Sequence, residues 1–360
     1  MTTHDNNHIN RERATEAKDS EFDFTLKRAL LEDTATPDVG KAFAQFKRKN
    51  SPHSHKRAYI ISLSGLLAAA CIIGFVFFAN HKRLDTNSPH SHLSDLGNIV
   101  YEAQPQRQYI SVSFGGKAIE LDPKTGAQDE GIILNDRNEI QLFGVPADNH
   151  DEATLTVPQG KQAKIMLDDG TVIWMNADSH ITFPRHFYEN GPREITLHGE
   201  ACFEVTHDES RPFIVNCDGF TTTVLGTKFD IRSYNGEHPQ VTLINGSVNV
   251  KTHREEAILH PEQTATLYAD GETEIASADL EVTTSWMNNA FYFDGQELRE
   301  ILLEIGRWYN VSVVFATNKH LGEKLHFNTE RNKSLNDVIR QLQMISTAKF
   351  KLTDKALIVE

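Results

Sequence analysis

The chain contains 360 residues, which is too long for one small domain and suggests two or three units of roughly 100–200 residues each. Its hydrophobic fraction of 39% is ordinary for a chain that builds a core, so wholesale disorder is excluded. The net charge of −14 argues against a nucleic-acid-binding protein, since phosphate backbones favour basic surfaces, and three cysteines are too few for a disulfide-rich scaffold.

Residues 1–57 form a short arm with 11 basic and 9 acidic side chains. Its apolar residues fall at helical spacing and predict two short helices; they are Phe22, Leu26, Ala29 and Leu30, then Val39, Ala42, Phe43 and Phe46. Two such helices cannot bury both apolar faces alone. They either dock on a partner, helix in groove, or form a loose tether whose basic cluster meets anionic lipid.

Residues 58–79 read AYIISLSGLLAAACIIGFVFFA and carry no charge. At about 1.5 Å per residue they reach roughly 33 Å as a helix, enough to cross a hydrocarbon core of about 30 Å. A buried core helix of this length would show a polar side, and a signal peptide would be shorter and earlier. The segment therefore predicts one transmembrane helix.

The flanking charges orient this helix. Five basic residues precede it within 47–57, whereas Lys82 and Arg83 alone follow closely. The positive-inside rule places the N-terminus in the cytoplasm and the bulk of the chain outside the cytoplasmic membrane. Residues 80–107 are polar and are predicted to be an irregular tether on that outer side. The repeated SPHSH at 51–55 and 88–92 is interpreted as solvated linker rather than a metal site.

Residues 108–280 show short alternating runs separated by turn signals. The Asp168-Asp169-Gly170 and Asn245-Gly246 turns each join two such runs and predict hairpins. Many short strands at this spacing favour a mainly β fold, an antiparallel sandwich that resembles a jelly roll.

From residue 284 onward the period changes. A strand at 291–293 precedes a helix with an apolar stripe that includes Leu298 and Ile305, with Asp294 as the predicted cap. Ser334 caps a second helix, and two short strands close the chain. Residues 284–360 are therefore predicted to be a small α+β domain of βαβ-βαβ order.

Several single residues invite a chemical interpretation. Cys202 and Cys217 flank the centre of a predicted loop at 207–212, which predicts a cross-strand disulfide in an oxidising compartment. Glu200 and Glu204 are interpreted as exposed strand residues rather than a carboxylate pair, and Asp168-Asp169 as turn chemistry.

The chain contains no phosphate loop, HExxH, GxSxG or CxxC motif, so no cofactor, no metal and no turnover enzyme are expected. Trp308 and Tyr309 follow an apolar stripe and are interpreted as core residues, with contact to a partner as the alternative.

The order of many short pieces resembles a FecR domain, the envelope module of membrane-anchored anti-sigma factors. The pieces are VPQG at 157–160, LDDGTV at 167–172, WMNA at 174–177, Ser179, FP at 183–184, LHGEA at 197–201, FEV at 203–205, PFIV at 212–215, VLGTKF at 224–229, VTL at 241–243 and GSV at 246–248. The C-terminal unit is similar to the companion domain of the long FecR subtype, through Trp286, Phe293 and RWYNV at 307–311.

The resemblance implies that the arm holds an extracytoplasmic-function sigma factor, with Leu26, Leu30, Val39, Phe43 and Phe46 as contacts. It implies a signal from the signalling domain of a TonB-dependent outer-membrane transporter, received by the C-terminal domain, where Trp308 and Tyr309 are candidate contacts. Regulated proteolysis by site proteases would then free the arm. The competing function is a membrane-anchored envelope module that binds glycan or protein without sigma regulation; an anchored glycan hydrolase has no supporting motif.

The resemblance also implies a single-turnover reaction. Some members of the family cleave themselves at a Gly-Thr bond in the motif that contains Gly226 and Thr227 here. A threonine hydroxyl can attack the preceding carbonyl if the peptide is strained. The alternative is a threonine that starts a strand after a glycine bulge.

Overall fold

The computed structural model describes residues 97–105, 107, 109–115, 117–121, 132–135, 137, 139–142, 151–354 and 356–360. All of them belong to one compact unit. The arm with its predicted sigma contacts, and the predicted membrane helix at 58–79, lie outside the described residues. Within the described ranges no helix combines the length and the apolar character that crossing a bilayer requires.

Seventeen strands follow one another through the described part of residues 110–277, here called the β domain. They are β2 (Ile110–Phe114), β3 (Lys117–Leu121), β4 (Ile132–Leu134), β5 (Glu139–Leu142), β6 (Glu152–Val157), β7 (Ala163–Met166), β8 (Val172–Met175), β9 (Ser179–Pro184), β10 (Arg193–Glu204), β11 (Phe213–Cys217), β12 (Phe220–Val224), β13 (Lys228–Ser233), β14 (Gln240–Asn245), β15 (Val248–Thr252), β16 (Glu256–Leu259), β17 (Gln263–Leu267) and β18 (Thr273–Ser277).

These strands form two sheets that share the long strand β10. One sheet runs β3-β2-β6-β9-β10-β11-β12-β15-β16, and the other runs β4-β5-β7-β8-β10-β13-β14-β17-β18. Strand β10 changes sheet at Gly199, whose φ is +99° and where a Cβ would lie 2.7 Å from the Cα of Ser179. The predicted mainly β sandwich is confirmed, although β10–β11 and β5–β7 are parallel pairs.

The core of the β domain comes from the inward-facing residues of both sheets. Strand β6 alternates buried and more exposed positions, as a half-buried strand must. Phe203 stacks on Phe229 across β10 and β13, with ring centroids 4.9 Å apart. The DDG turn forms as predicted: Leu167 N–H donates to Thr171 O at 2.9 Å, and Gly170 has φ +82°.

A short connector leads into the C-terminal domain (residues 290–360). The connector is α1 (Leu280–Thr284) and a 3₁₀ helix (Ser285–Asn288). The domain contains β19 (Ala290–Glu297), α2 (Leu298–Tyr309), β20 (Ser312–Phe315), a 3₁₀ turn (Asn318–His320), β21 (Lys324–Glu330), α3 (Leu335–Ile345), β22 (Phe350–Leu352) and β23 (Ala356–Val359). The predicted βαβ-βαβ order is confirmed, and the last two strands pair as a hairpin.

The two long helices begin differently. Ser334 accepts a hydrogen bond from the backbone N–H of Asp337, so the predicted cap of α3 is confirmed. The predicted cap at Asp294 is wrong, because β19 continues to Glu297 in its pairing with β21. Helix α2 starts at Leu298 without a side-chain cap, and its apolar stripe is buried as predicted.

The last part of the predicted tether is a strand. Residues Asn98–Tyr101 form β1, which pairs antiparallel with β20, so the C-terminal sheet runs β1-β20-β23-β22. Ala103 N–H donates to the Ser312 hydroxyl at 2.9 Å and extends this attachment. The run Asn98–Tyr101 has only four residues between polar neighbours, which is too short for the sequence to predict a strand. The prediction that 80–107 is irregular throughout is therefore wrong at 98–101.

We expect Gly97→Ala to detach β1. Gly97 has φ +142°, and a Cβ there would overlap the carbonyl oxygen of Phe315 on β20. Chymotrypsin should then cut after Tyr101 at least tenfold faster than in the unaltered protein. The matched control is Gly191→Ala, where φ is +114° and nothing lies within 4 Å. Equal cleavage rates in the two variants would contradict the role given to Gly97.

Candidate functional site

A buried group of six charged side chains joins the β domain to the C-terminal domain. This interdomain cluster contains Glu200, Arg232 and Glu237 from the β domain and Glu304, Arg307 and Arg331 from the C-terminal domain. The sheet register places Glu200 directly opposite Arg232. Glu304 and Arg307 lie one turn apart on α2, and Arg331 directly follows β21.

Glu304 is the centre of the cluster. It accepts hydrogen bonds from Arg232 at 2.8 Å, Arg307 at 3.2 Å and Arg331 at 2.5 Å. The side chains of Glu304 and Arg331 are 8% and 2% exposed. Since Arg232 belongs to the β domain, one of these three ion pairs crosses between the domains.

Glu237 is a second bridge. It accepts two bonds from Arg232, at 3.0 and 2.9 Å, and is also paired with Arg307 of the C-terminal domain. The Arg307 guanidinium lies 3.5 Å from the centre of the Tyr234 ring, and the Tyr234 hydroxyl donates to Ala177 O at 2.7 Å. Each guanidinium is therefore shared between carboxylates and an aromatic face.

Arg331 also crosses the interface. It donates to the Asn176 side chain at 2.9 Å and lies between the rings of Phe291 and Trp308, at 4.7 and 4.9 Å. The Trp308 indole donates to Arg331 O at 3.0 Å, and the Tyr309 hydroxyl donates to Lys333 O at 2.7 Å. Both aromatic residues are half-buried against the C-terminal core, and their polar atoms are used within the domain.

The carboxyl groups of the interface fall into two classes. Burial opposes ionisation of Glu304, but Arg232, Arg331 and Arg307 outweigh it and hold the pKa of Glu304 well below its ordinary value. Burial likewise opposes ionisation of Glu237, but Arg232 and Arg307 outweigh it and lower the pKa of Glu237. Burial raises the pKa of Glu200, and burial with the neighbouring Glu200 raises that of Asp230 well above its usual range.

Next to the cluster, a cleft of about 510 Å³ opens between the domains. Strands β14 and β17 line it on the β-domain side, β19 and α2 line it on the C-terminal side, and the connector lines it with Trp286. Asp230 faces the same space. No group of three metal-ligating side chains that could hold an ion occurs in the described residues.

Gly226 and Thr227 lie between β12 and β13. A Cβ on Gly226 would lie 2.6 Å from the Cα of His207, so the backbones approach too closely for another residue. The Thr227 hydroxyl is buried and donates to Ser247 O at 2.9 Å. The structure thus places this bond in a tightly packed turn.

The predicted disulfide is wrong. Strands β10 and β11 are parallel, so the 207–212 segment is a crossover and not a hairpin loop. Cys217 follows the Thr196–Asn216 pair in one sheet, whereas Cys202 pairs with Asp230 in the other. The two lie roughly 16 Å apart along β10, beyond the reach of a disulfide of about 7 Å between Cα atoms. Both are free thiols, and burial raises the pKa of each.

The sequence interpretation missed the interdomain cluster. Glu204 is exposed as predicted, but Glu200 is buried, because its strand faces the other domain and not solvent. A signal for the cluster was present on α2. Glu304 and Arg307 lie three residues apart on the apolar stripe of this helix. An oppositely charged pair at that spacing on an apolar face indicates a buried ion pair.

The chain matches the FecR protein family over residues 153–249 and the FecR C-terminal family over residues 290–359. Two crystal structures of a candidate anti-sigma factor from Parabacteroides distasonis ATCC 8503, at 1.65 and 2.50 Å, resemble it with a TM-score of 0.54 and 25% identity. They cover 57% and 58% of this chain and 98% of theirs. No curated protein matches the chain.

We expect Glu304→Gln to lower the free energy of unfolding by about 3–5 kcal/mol at pH 7, because it leaves buried guanidiniums without their shared counter-charge. Since the folded-state pKa of Glu304 is lowered, its stabilisation is complete above its unfolded pKa of about 4.3 and is lost as the pH falls through the folded value. The difference should therefore narrow below about pH 4.

Urea unfolding of the full chain between pH 3 and 7 measures this difference. The control Glu330→Gln alters an exposed carboxylate next to Arg331 and should change stability by less than about 0.5 kcal/mol. Equal effects of the two substitutions at pH 7 would show that the cluster does not stabilise the interface.

Proposed function

We propose that this chain, which belongs to the FecR family, is a single-pass sigma regulator of the bacterial inner membrane. Residues 1–57 bind an extracytoplasmic-function sigma factor in the cytoplasm, residues 58–79 cross the membrane, and the two described domains receive a signal in the periplasm. The observation that carries the proposal is the FecR domain followed by its C-terminal companion, in a chain similar to a candidate anti-sigma factor.

The contacts of β1 support a relay between the periplasm and the arm. The predicted membrane helix ends at residue 79 and β1 begins at Asn98, so residues 80–97 span at most about 65 Å. The backbone of β1 pairs with β20 of the C-terminal domain, and the Tyr101 side chain reaches Gln159 of the β domain. A force on the C-terminal domain therefore reaches the membrane helix through a short length of chain.

The partner in the periplasm is proposed to be the signalling domain of a TonB-dependent outer-membrane transporter, bound by the C-terminal domain. The relay needs this partner to bind one state of the protein better than another. Exposure of a site to proteases is the simplest outcome of such a switch. Trp308 and Tyr309 can contribute only the exposed parts of their rings, since their polar atoms bond to backbone within the domain.

We expect a peptide of residues 1–57 to retain a sigma factor in a pull-down from the native host, identified by mass spectrometry. Phe43→Asp lies on the predicted apolar stripe and should reduce capture at least tenfold, because a carboxylate cannot enter an apolar groove. The control Gln45→Asp adds the same charge off the stripe and should leave capture unchanged. Capture of no sigma factor would favour the alternative, an anchored module that binds envelope glycan or protein.

We also propose that the chain cleaves itself once between Gly226 and Thr227. The Thr227 hydroxyl oxygen attacks the Gly226 carbonyl carbon, the C–N bond breaks and frees the Thr227 amine, and water hydrolyses the resulting ester. The tight packing of Gly226 on His207 supports the proposal, since it restrains the backbone at that bond. The buried bond from the Thr227 hydroxyl to Ser247 O fixes the nucleophile beside the peptide it would attack.

Intact-mass analysis of the full chain, expressed in a protease-deficient host, measures this reaction. We expect two fragments from the unaltered chain and from Thr227→Ser, which keeps a hydroxyl, and one full-length species from Thr227→Ala. The control Thr223→Ala removes a hydroxyl from the neighbouring strand and should still be cleaved. A single full-length species from the unaltered chain would exclude self-cleavage.

A further inference from the structure

We propose that His207 carries the proton in the cleavage of the bond between Gly226 and Thr227. This role rests on the self-cleavage proposed above and assigns to it a residue outside the Gly-Thr pair. Once the Thr227 oxygen has attacked, the carbonyl carbon of Gly226 holds both the new oxygen and the Thr227 nitrogen. The nitrogen leaves readily only as a protonated amine, so the reaction needs a side chain that gives a proton at this carbon.

The side chain of His207 lies directly against Gly226. A Cβ on Gly226 would lie 2.5 Å from Nδ1 of His207 and 2.6 Å from its Cα and Cβ, and these are the three nearest atoms. A carbon–carbon bond is about 1.5 Å long, so Nδ1 lies within about 4 Å of the Gly226 Cα. The carbonyl carbon under attack is the next atom of the chain.

Two backbone hydrogen bonds fix this contact. Val205 N–H donates to Thr227 O at 3.0 Å, and Asp208 N–H donates to Leu225 O at 2.8 Å. His207 lies between the two donors along one segment, and Gly226 lies between the two acceptors along the other. The pairing therefore holds His207 against the 226–227 peptide bond in the folded chain.

The neighbouring charged side chains are engaged in other pairs. Lys228, which follows Thr227, is paired with Glu204 at 3.2 Å. Asp208, which follows His207, is paired with Arg211 at 2.8 Å. Histidine is also the side chain that most readily takes and gives a proton near neutral pH.

The His207 ring connects the buried bond to solvent. Thr227 is 6% exposed, whereas the His207 side chain is 55% exposed. The second ring nitrogen, Nε2, lies 3.7 Å from Glu209 Oε1. Nδ1 is thus the ring nitrogen that faces Gly226, and the rest of the ring can exchange protons with water.

The step moves one proton from oxygen to nitrogen. As Thr227 Oγ1 bonds to the Gly226 carbonyl carbon, its hydrogen leaves the Ser247 carbonyl oxygen and passes to Nδ1 of His207. The imidazolium then gives a proton to the Thr227 nitrogen as the C–N bond breaks. The products are the ester and the free amine, and the imidazole ends as it began. One side chain serves both transfers, because oxygen and nitrogen are bonded to the same carbon in the intermediate.

Timed synthesis of the full chain tests this role. The chain is made in a cell-free extract with lipid nanodiscs and labelled methionine, which labels both fragments through Met175 and Met287. Synthesis is stopped, and denaturing gels follow the appearance of the fragments. We expect His207→Ala and His207→Phe to slow this appearance at least tenfold, within the range that general acid–base catalysis contributes. Phenylalanine keeps a ring against Gly226 but carries no exchangeable proton.

The matched control is His253→Ala. His253 is an exposed histidine of the same domain. It follows Thr252, which pairs with Phe220 at the end of β12 that is remote from Gly226. The control should be cleaved at the rate of the unaltered chain, and thermal midpoints of all three variants should stay close to that of the unaltered chain.

Added imidazole distinguishes proton transfer from a structural role of His207. Because the ring is exposed, its removal in His207→Ala leaves a space open to solvent, and imidazole should accelerate cleavage of this variant at least threefold. His207→Phe fills the same space, so imidazole should not accelerate it. Unaltered rates in both variants, or a slow His207→Ala variant that imidazole does not accelerate, would overturn the role of His207 and leave self-cleavage standing. An unaltered chain that stays full-length would overturn both.

Discussion

The interdomain structure depends on the need to pair buried charge. Glu304, Arg307 and Arg331 belong to the C-terminal domain and contribute two guanidiniums and one carboxylate to an almost dry interface. Glu237 of the β domain supplies a further counter-charge, and Arg232 completes the shell of Glu304. An unpaired buried ion costs several kcal/mol, so the domains cannot slide apart without hydrating all of these groups together. The cluster specifies one arrangement of the two domains.

The same arrangement creates the cleft beside it. Arg232 is held by carboxylates on both sides and keeps β13 against α2, while the connector occupies the remaining gap with Trp286. The Gln162 side chain donates to Trp286 O at 2.8 Å and fixes the connector on the β domain. The cleft therefore lies beside the paired charges, between elements that the cluster and Gln162 hold in place.

Features that depend on neighbouring residues were predicted from the sequence, whereas features that depend on contacts between distant segments were not. The DDG turn and the cap at Ser334 depend on neighbours in the chain, so both were predicted correctly. The sequence could not distinguish the crossover between β10 and β11 from a hairpin. The two strands are parallel because β10 passes into the other sheet at Gly199, and the chain returns to the first sheet before β11 begins. Glu200 was misjudged for a related reason: alternation shows that a strand has two faces but not that a second domain covers the outer one.

The strength of the cluster places the flexible joint of the proposed relay elsewhere. Six buried charges in mutual contact hold the domains together. Strand β1 is held at the edge of a sheet by its pairing with β20, by hydrogen bonds of Ala103 and Gln104, and by packing of Val100 and Tyr101 on the C-terminal core. An edge strand is paired on one side only, so it can leave without opening the rest of its sheet. A pull from the membrane acts on β1 first, because β1 lies between the predicted membrane helix and the two domains along the chain. Strand β1 is the element that combines an edge position with direct continuity to the predicted membrane helix.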